Sequence, residues 1–235
     1  MLRPSGCEGR HTWGGTVYQP HITVIGEQLW SQLRDLAPRR SRPARSVLLR
    51  QGDPGTHVIL LDSGSTLVTL TGQSGERTLL AVRGAGELLG ELAVLDSQPR
   101  SASVIAAETC LVHIVPAADF LAFVDKYDLL APLLRHAIAR VREAESVRLE
   151  LATASVPARL ASALTRLAEV SSATARELSV RLTQTELSQM IGASRNAVGA
   201  ALRPWREHGW LDTAHGGGLV VRDIAAIRRH VRAET

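Results

Sequence analysis

Residues 84–106 read GAGELLGELAVLDSQPRSASVIA, and the fold turns on this stretch. Gly90-Glu91-Leu92-Ala93 opens a short helix whose first backbone N–H groups are free to meet an anion. Glu91 can accept hydrogen bonds from a ribose hydroxyl, and Arg100, nine residues on, can pair with a phosphate. Ser101 and the amide of Ala102 complete the cradle. A plain structural ion pair between Glu91 and Arg100 is the competing reading. Pro99 between the two residues and the SASV strand after them weigh against it.

Outward from this stretch, residues 45–115 carry short runs rich in Val, Leu, Ile and Thr. They are SVLLR at 46–50, HVILLD at 57–62, STLVTLT at 65–71, RTLLAVR at 77–83, ASVIAA at 102–107 and CLVHIV at 110–115. Turn chemistry separates them: Gly52-Asp53-Pro54-Gly55, Ser63-Gly64, and the glycines between 72 and 75 and between 84 and 86. Short strands at nearly even spacing predict an antiparallel barrel or roll. After Pro116 the hydrophobic period changes. A short helix is predicted over 117–126 and a long one from Leu129 to Ala154, with Leu130, Leu133, Leu134, Ala137, Ile138, Val141, Ala144 and Leu151 on its apolar side. That helix is either a core helix of one domain or a dimer seam. Its length carries it past the roll, which favours the seam. Ser155-Val156-Pro157 breaks the chain as a domain hinge, and further helices are predicted at about 157–170 and 176–180.

The segment from Gln184 to Arg203, QTELSQMIGASRNAVGAALR, has the spacing of a helix-turn-helix. Leu187, Ile191, Val198 and Ala201 are apolar where two crossing helices meet, Ser188 is small at their closest approach, and Gly192 takes the turn position that favours a positive φ. Thr183 and Glu186 form a capping box for the first helix, and Ser194 caps the second. Arg195, Asn196 and Ala197 then lie on the first turn of a recognition helix, and Gly199, Ala200 and Arg203 continue its exposed face. Arginine matches guanine there, asparagine adenine, and alanine a thymine methyl. A two-helix packing hairpin without a nucleic-acid role is the alternative. Two apolar strands separated by Gly216-Gly217-Gly218 read as a wing, which supports the first reading. Arg181, Arg203, Arg206 and Arg222 offer phosphate contacts, although any of them can be a solvated surface charge.

GELAVLDSQPRSASV resembles the phosphate-binding cassette of cyclic-nucleotide-binding domains, and SVLLRQGDPGTHVILLDSGSTLVTL resembles the first strands and glycine turns of the same roll. With the winged helix-turn-helix, residues 25 to 230 resemble the Crp/Fnr family of bacterial transcription regulators. The resemblance implies an α+β fold in four parts: an N-terminal extension (1–24), a cyclic-nucleotide-binding β-roll (25–128), a dimerisation helix (129–154) and a C-terminal winged helix-turn-helix (155–235). It implies a homodimer on a two-fold site in double-stranded DNA, with RNA polymerase as a further partner. The effector it implies is a cyclic nucleotide, cAMP or cGMP, and no cofactor is required. Carried over by position, Gly90, Glu91 and Leu92 fall on the ribose side and Arg100, Ser101 and Ala102 on the cyclic phosphate, while Thr183, Ser194, Arg195, Asn196, Ala200 and Arg203 fall at DNA-contacting places. The sequence departs from the family at two points. Ala144 and Glu145 stand where a Thr-Ser pair meets adenine, with Glu145 or Ser146 left to face a base. Asn196 and Ala200 replace a glutamate and an arginine of the recognition helix.

Composition agrees with this division. The chain has 235 residues, 45% hydrophobic and 21% charged, enough for two modest domains with cores of their own. Residues 1–154 carry 16 basic and 16 acidic side chains, residues 155–235 carry 11 and 7, so the whole excess sits in the last third. Only Lys126 among the 27 basic residues is lysine; arginine suits phosphate and guanine, and GC-rich codon usage explains the bias equally well. No apolar run reaches about 18 residues and the amino terminus lacks an apolar stretch, so the expectation is a cytoplasmic protein. Cys7 and Cys110, far apart, cannot supply the roughly four thiolates of an iron–sulfur cluster. The eight histidines show no pair at helical ligand spacing, and no metal site is expected. An enzyme using Glu91, Arg100 and Ser101 on a phosphate ester is the remaining alternative; no GxSxG, HExxH or phosphate-loop motif accompanies them.

Overall fold

The computed structural model describes residues 19–170, 178–180, 182–213 and 218–233. The described residues open with two helices, α1 (His21–Ile25) and α2 (Glu27–Asp35). Eight strands follow: β1 (Arg39–Arg42), β2 (Val47–Leu49), β3 (His57–Ser63), β4 (Thr66–Thr71), β5 (Arg77–Arg83), β6 (Glu87–Leu89), then after a one-turn helix α3 (Glu91–Leu95), β7 (Ser103–Ala106) and β8 (Cys110–Pro116). They form two antiparallel four-stranded sheets, ordered β1-β8-β3-β6 and β2-β7-β4-β5.

Strand β3 explains why the sequence is apolar almost without alternation. Ile59 and Leu61 point between the sheets, where they meet Leu49, Leu89, Val104 and Val112. Val58 and Leu60 point the other way, into a second core with Trp30 and Leu33 of α2 and Phe120 and Phe123 of helix α4 (Ala117–Lys126). A sheet buried on both faces is a continuous hydrophobic run. Truncating a residue such as Leu60 to alanine costs about 2–5 kcal/mol.

The second sheet is covered from outside as well, by the C-terminal third of the chain. Leu67, Leu79 and Ile105 of its strands share one core with Leu160 and Leu164 of α6 (Val156–Val170) and with Leu187, Val198 and Trp205 further on. Between the roll and α6 runs α5 (Leu130–Thr153), which has two unlike sides. Leu133 and His136 are buried against the roll, whereas Leu130, Leu134, Ile138 and Val141 are 44–58% exposed along one stripe.

The C-terminal region continues with β9 (Leu178–Val180), α7 (Gln184–Met190), α8 (Arg195–Glu207), β10 (Leu211–Thr213), β11 (Leu219–Val221) and α9 (Ile224–Ala233). The three strands form one antiparallel sheet, β10-β11-β9. Residues 178–180 are therefore a strand and not the helix expected at 176–180: Leu178, Ser179 and Val180 pair with β11, and three residues cannot close a helical turn of their own against that ladder. β1 was also hidden, because RRSR carries no apolar alternation; among the described residues it is a charged edge strand paired with β8. Helix α1 crosses the boundary expected at residue 25 and buries His21 and Ile25 in the roll. Among the described residues no helix is long and apolar enough to cross a membrane.

Candidate functional site

Strand β6 leads into Gly90, whose φ of +81° is left-handed and which caps α3. A Cβ here would lie 2.4 Å from Arg100 Nη1 and 2.8 Å from Leu49 Cδ1, so glycine is needed for both conformation and space. The Arg100 backbone is tied to the first glycine turn, its N–H donating to the Asp53 carbonyl at 2.8 Å and its carbonyl accepting from Gly52 N–H at 2.9 Å. Its guanidinium folds inward: Nη1 donates to the Gly90 carbonyl and Nη2 to the His57 carbonyl, each at 2.5 Å. Arg100 is only 3% exposed, and its Nε–H has no hydrogen-bond partner among the described residues. A buried charged donor left unpaired costs about 1–3 kcal/mol or more. Burial pulls the guanidinium pKa below its usual value, with the Glu91 and Asp53 carboxylates opposing. Burial and then Arg100 lower that of His57.

The other cradle residues divide. Glu91 is buried, and its carboxylate faces the α1 histidine: Oε1 lies 3.7 Å from His21 Nε2. Leu92 and Ser101 are exposed and Ala102 half-buried, so Gly90 and Arg100 meet directly while Glu91 looks inward. On α5, Ala144 and Glu145 are exposed and Ser146 is half-buried.

Glu91 thereby belongs to a buried polar cluster that spacing along the chain could not disclose. His21 Nδ1 bonds to Glu87, Arg140 Nη2 donates to Glu87 Oε2 at 2.5 Å, and Arg140 Nε donates to His136 Nε2 at 2.9 Å. The His21 and His136 rings lie 3.9 Å apart. Burial, then the neighbouring His21 and Arg140, push the His136 pKa down to about 3 against the pull of Glu87. The residues come from α1, β6, α3 and α5, so only the fold brings them together.

The helix-turn-helix is built as its sequence requires. Thr183 Oγ1 accepts from Glu186 N–H at 3.2 Å while the Glu186 carboxylate accepts from Thr183 N–H at 2.8 Å, closing the capping box of α7. Gly192 turns the chain at φ +58°, and Ser194 Oγ accepts from Ala197 N–H at 3.1 Å to start α8. Leu187, Ile191, Val198 and Leu202 are buried between the helices. Ser194, Arg195, Asn196, Ala200 and Arg203 are all exposed, and Thr183 is half-buried with its hydroxyl engaged in the cap. Arg159 of α6, which no local pattern singles out, donates to the carbonyls of Ile191 at 2.8 Å and Gly192 at 3.2 Å and so closes the end of α7. Arg222 Nε donates to Asp212 at 2.7 Å across the β10-β11 hairpin. The expected wing glycines 216 and 217 and Arg181 lie outside the described residues.

Residues 39–127 match the family model of the cyclic nucleotide-binding domain, and residues 158–230 match that of the Crp-like helix-turn-helix domain. The chain belongs to the Crp/Fnr family. It is similar to the CRP-like cAMP-activated global transcriptional regulator of Mycobacterium tuberculosis, 27% identical over 194 residues that cover 81% of this chain and 86% of the relative. The cAMP-activated global transcriptional regulator CRP of Salmonella typhimurium is 28% identical over 183 residues, 76% of this chain and 87% of the relative. Among solved structures, CLP of Xanthomonas campestris, described as a c-di-GMP-responsive global regulator, shares the fold with a TM-score of 0.63 at 22% identity, covering 84% of this chain and 100% of CLP. This Crp/Fnr chain is thus a DNA-binding transcription regulator with a cyclic nucleotide-binding domain, and not an enzyme.

Proposed function

We propose that the chain is a homodimeric regulator in which a cyclic nucleotide, bound at the Gly90–Arg100 cradle, governs binding to a two-fold DNA site. Arg100 is the observation that carries the effector half. Among the described residues its guanidinium is buried, satisfied on two nitrogens by backbone carbonyls, and unpartnered at Nε. A cyclic phosphate offers that nitrogen a charged acceptor and competes for the other two; Ser101 and Ala102 stand beside it at the surface. The cAMP-activated relatives support cAMP as the first nucleotide to test.

The unpartnered stripe of Leu130, Leu134, Ile138 and Val141 on α5 joins two copies. Dimerisation places two α8 helices about 34 Å apart, one turn of duplex, with Arg195, Asn196 and Ala200 toward base edges and Ser194 and Arg203 toward the backbone. The Thr183 cap holds α7 in place beside them. Effector contacts that differ between two dimer arrangements shift their populations, and RNA polymerase is the partner through which bound dimer acts on transcription.

A second reading keeps the DNA role and changes the effector. Two observations favour it: Glu91 turns toward His21 instead of outward, and a similarly folded regulator is described as c-di-GMP-responsive. Calorimetry of the full chain with cAMP, cGMP and c-di-GMP, beside Arg100→Ala, decides between them. Binding of cAMP or cGMP that Arg100→Ala abolishes supports the first reading; heat from c-di-GMP alone supports the second.

A further inference from the structure

The buried cluster behind the cradle has a chemistry that neither nucleotide nor DNA binding uses. We propose that His21, Glu87 and His136 form a binding site for a divalent transition-metal ion, and that Arg140 is a built-in cation the ion displaces.

Two imidazoles and a carboxylate are a donor set suited to zinc or cobalt. One ligand atom from each residue lies within 4.8 Å of the others, close enough to converge on one ion with small side-chain adjustments. None of the three is more than 8% exposed. Each is supplied by a different element, α1, β6 and α5, so their placement is fixed by the packed roll and not by one mobile loop. Among the described residues this is a group whose donors meet without a solvent-exposed member.

Arg140 marks where the ion would sit. Its Nη2 and Nε donate to Glu87 and His136, so a positive charge already spans two of the three ligands. The Arg140 side chain is itself 21% exposed and can withdraw toward solvent along α5. Glu91 supplies the outer shell. With His21 Nδ1 toward Glu87, the other ring nitrogen faces the Glu91 carboxylate at 3.7 Å, the arrangement by which a carboxylate orients a ligating histidine. An ion here would therefore fix the carboxylate next to Gly90 and connect α1 and α5 to the cradle. The inference does not depend on which nucleotide binds.

The test uses the full chain without nucleotide, titrated with Co²⁺ alone and followed by visible absorption. The expected result is one equivalent bound with a ligand-field band that Zn²⁺ abolishes. Arg140→Met, which removes the competing cation and leaves all three ligands, should tighten Co²⁺ binding about tenfold or more, on the scale by which outer-shell groups tune metal affinity. His136→Gln and Glu87→Gln should lose the band, whereas His208→Ala, which changes an exposed histidine elsewhere, should keep it. A cluster that is only a buried ion-pair network gives no stoichiometric band in the natural sequence and no gain in Arg140→Met. Either result overturns the proposal, as does a band that survives in folded His136→Gln.

Discussion

Arg45, at the turn between β1 and β2, donates a hydrogen bond to Glu186, the residue that closes the capping box of the first helix of the helix-turn-helix. One carboxylate thus serves both the fold of the DNA-binding region and its attachment to the roll, whose strand β5 lies against α7. Burial alone would raise the Glu186 pKa, but Arg45 and the Thr183 N–H and O–H hold it below the usual carboxylate value. A carboxyl whose folded pKa is lowered contributes stability above its unfolded pKa of about 4.3, and that stability disappears as the pH falls through the folded value. Glu186→Gln should cost about 1 kcal/mol at pH 7, the size of a capping interaction with a partly exposed ion pair. Urea unfolding of the two proteins at pH 7 and pH 3 checks this: the gap should close at the lower pH.

Gly90→Ala places a Cβ against Arg100 and Leu49 at a left-handed φ. The backbone strain alone is about 1–2 kcal/mol. Thermal unfolding should register that loss, and calorimetry should show nucleotide affinity reduced at least tenfold, because the guanidinium is pushed off its position.

The recognition helix separates two kinds of contact. Arg195→Ala should relax preference at one base pair per half-site, with discrimination falling by about 1–3 kcal/mol. Arg203→Ala should instead weaken all duplexes alike and lower the salt slope by about one. Binding measured on a panel of single-base variants at several salt concentrations distinguishes them.

Strand runs, the glycine turns, α4, α5 and the helix-turn-helix with both caps were legible in the sequence, since each rests on local chemistry: period, turn residues, a Thr-x-x-Glu box. What was not legible depends on partners far along the chain. RRSR becomes a strand only beside β8, and Leu178–Val180 only beside β11. Glu91 was expected to face a ribose, and its carboxylate lies toward His21, 70 residues upstream of it in sequence. The apolar side of α5 read as one stripe, yet the roll claims Leu133 and leaves Leu130 and Leu134 exposed.

That division gives a prediction for α5. Ile138→Asp with Val141→Asp changes two exposed side chains. The variant should keep the helical signal and the unfolding transition of one folded copy, while sedimentation shifts from dimer to monomer and DNA affinity falls. A dimer that persists would remove the stripe from the interface.

Cys110 is buried, its thiol donating to the carbonyls of Ser65 and Glu108, and burial followed by the Glu108 charge pushes its pKa up to about 11. The folded protein keeps this thiol protonated where an unfolded chain, with a pKa of about 8.5, begins to ionise. Its contribution to stability is therefore complete below that value and is lost as the pH climbs toward 11. In a Cys7→Ser background a thiol reagent at pH 8 should react only at the rate of unfolding, and fast labelling of native protein would show the site to be open.

The decisive measurement is DNA affinity as a function of nucleotide, using a duplex selected by the full chain from random sequence. Saturating cAMP or cGMP should tighten binding for the natural sequence, and Arg100→Ala should retain the basal affinity with no response. Equal tightening in Arg100→Ala, or no preference among duplexes with any nucleotide present, would contradict the account.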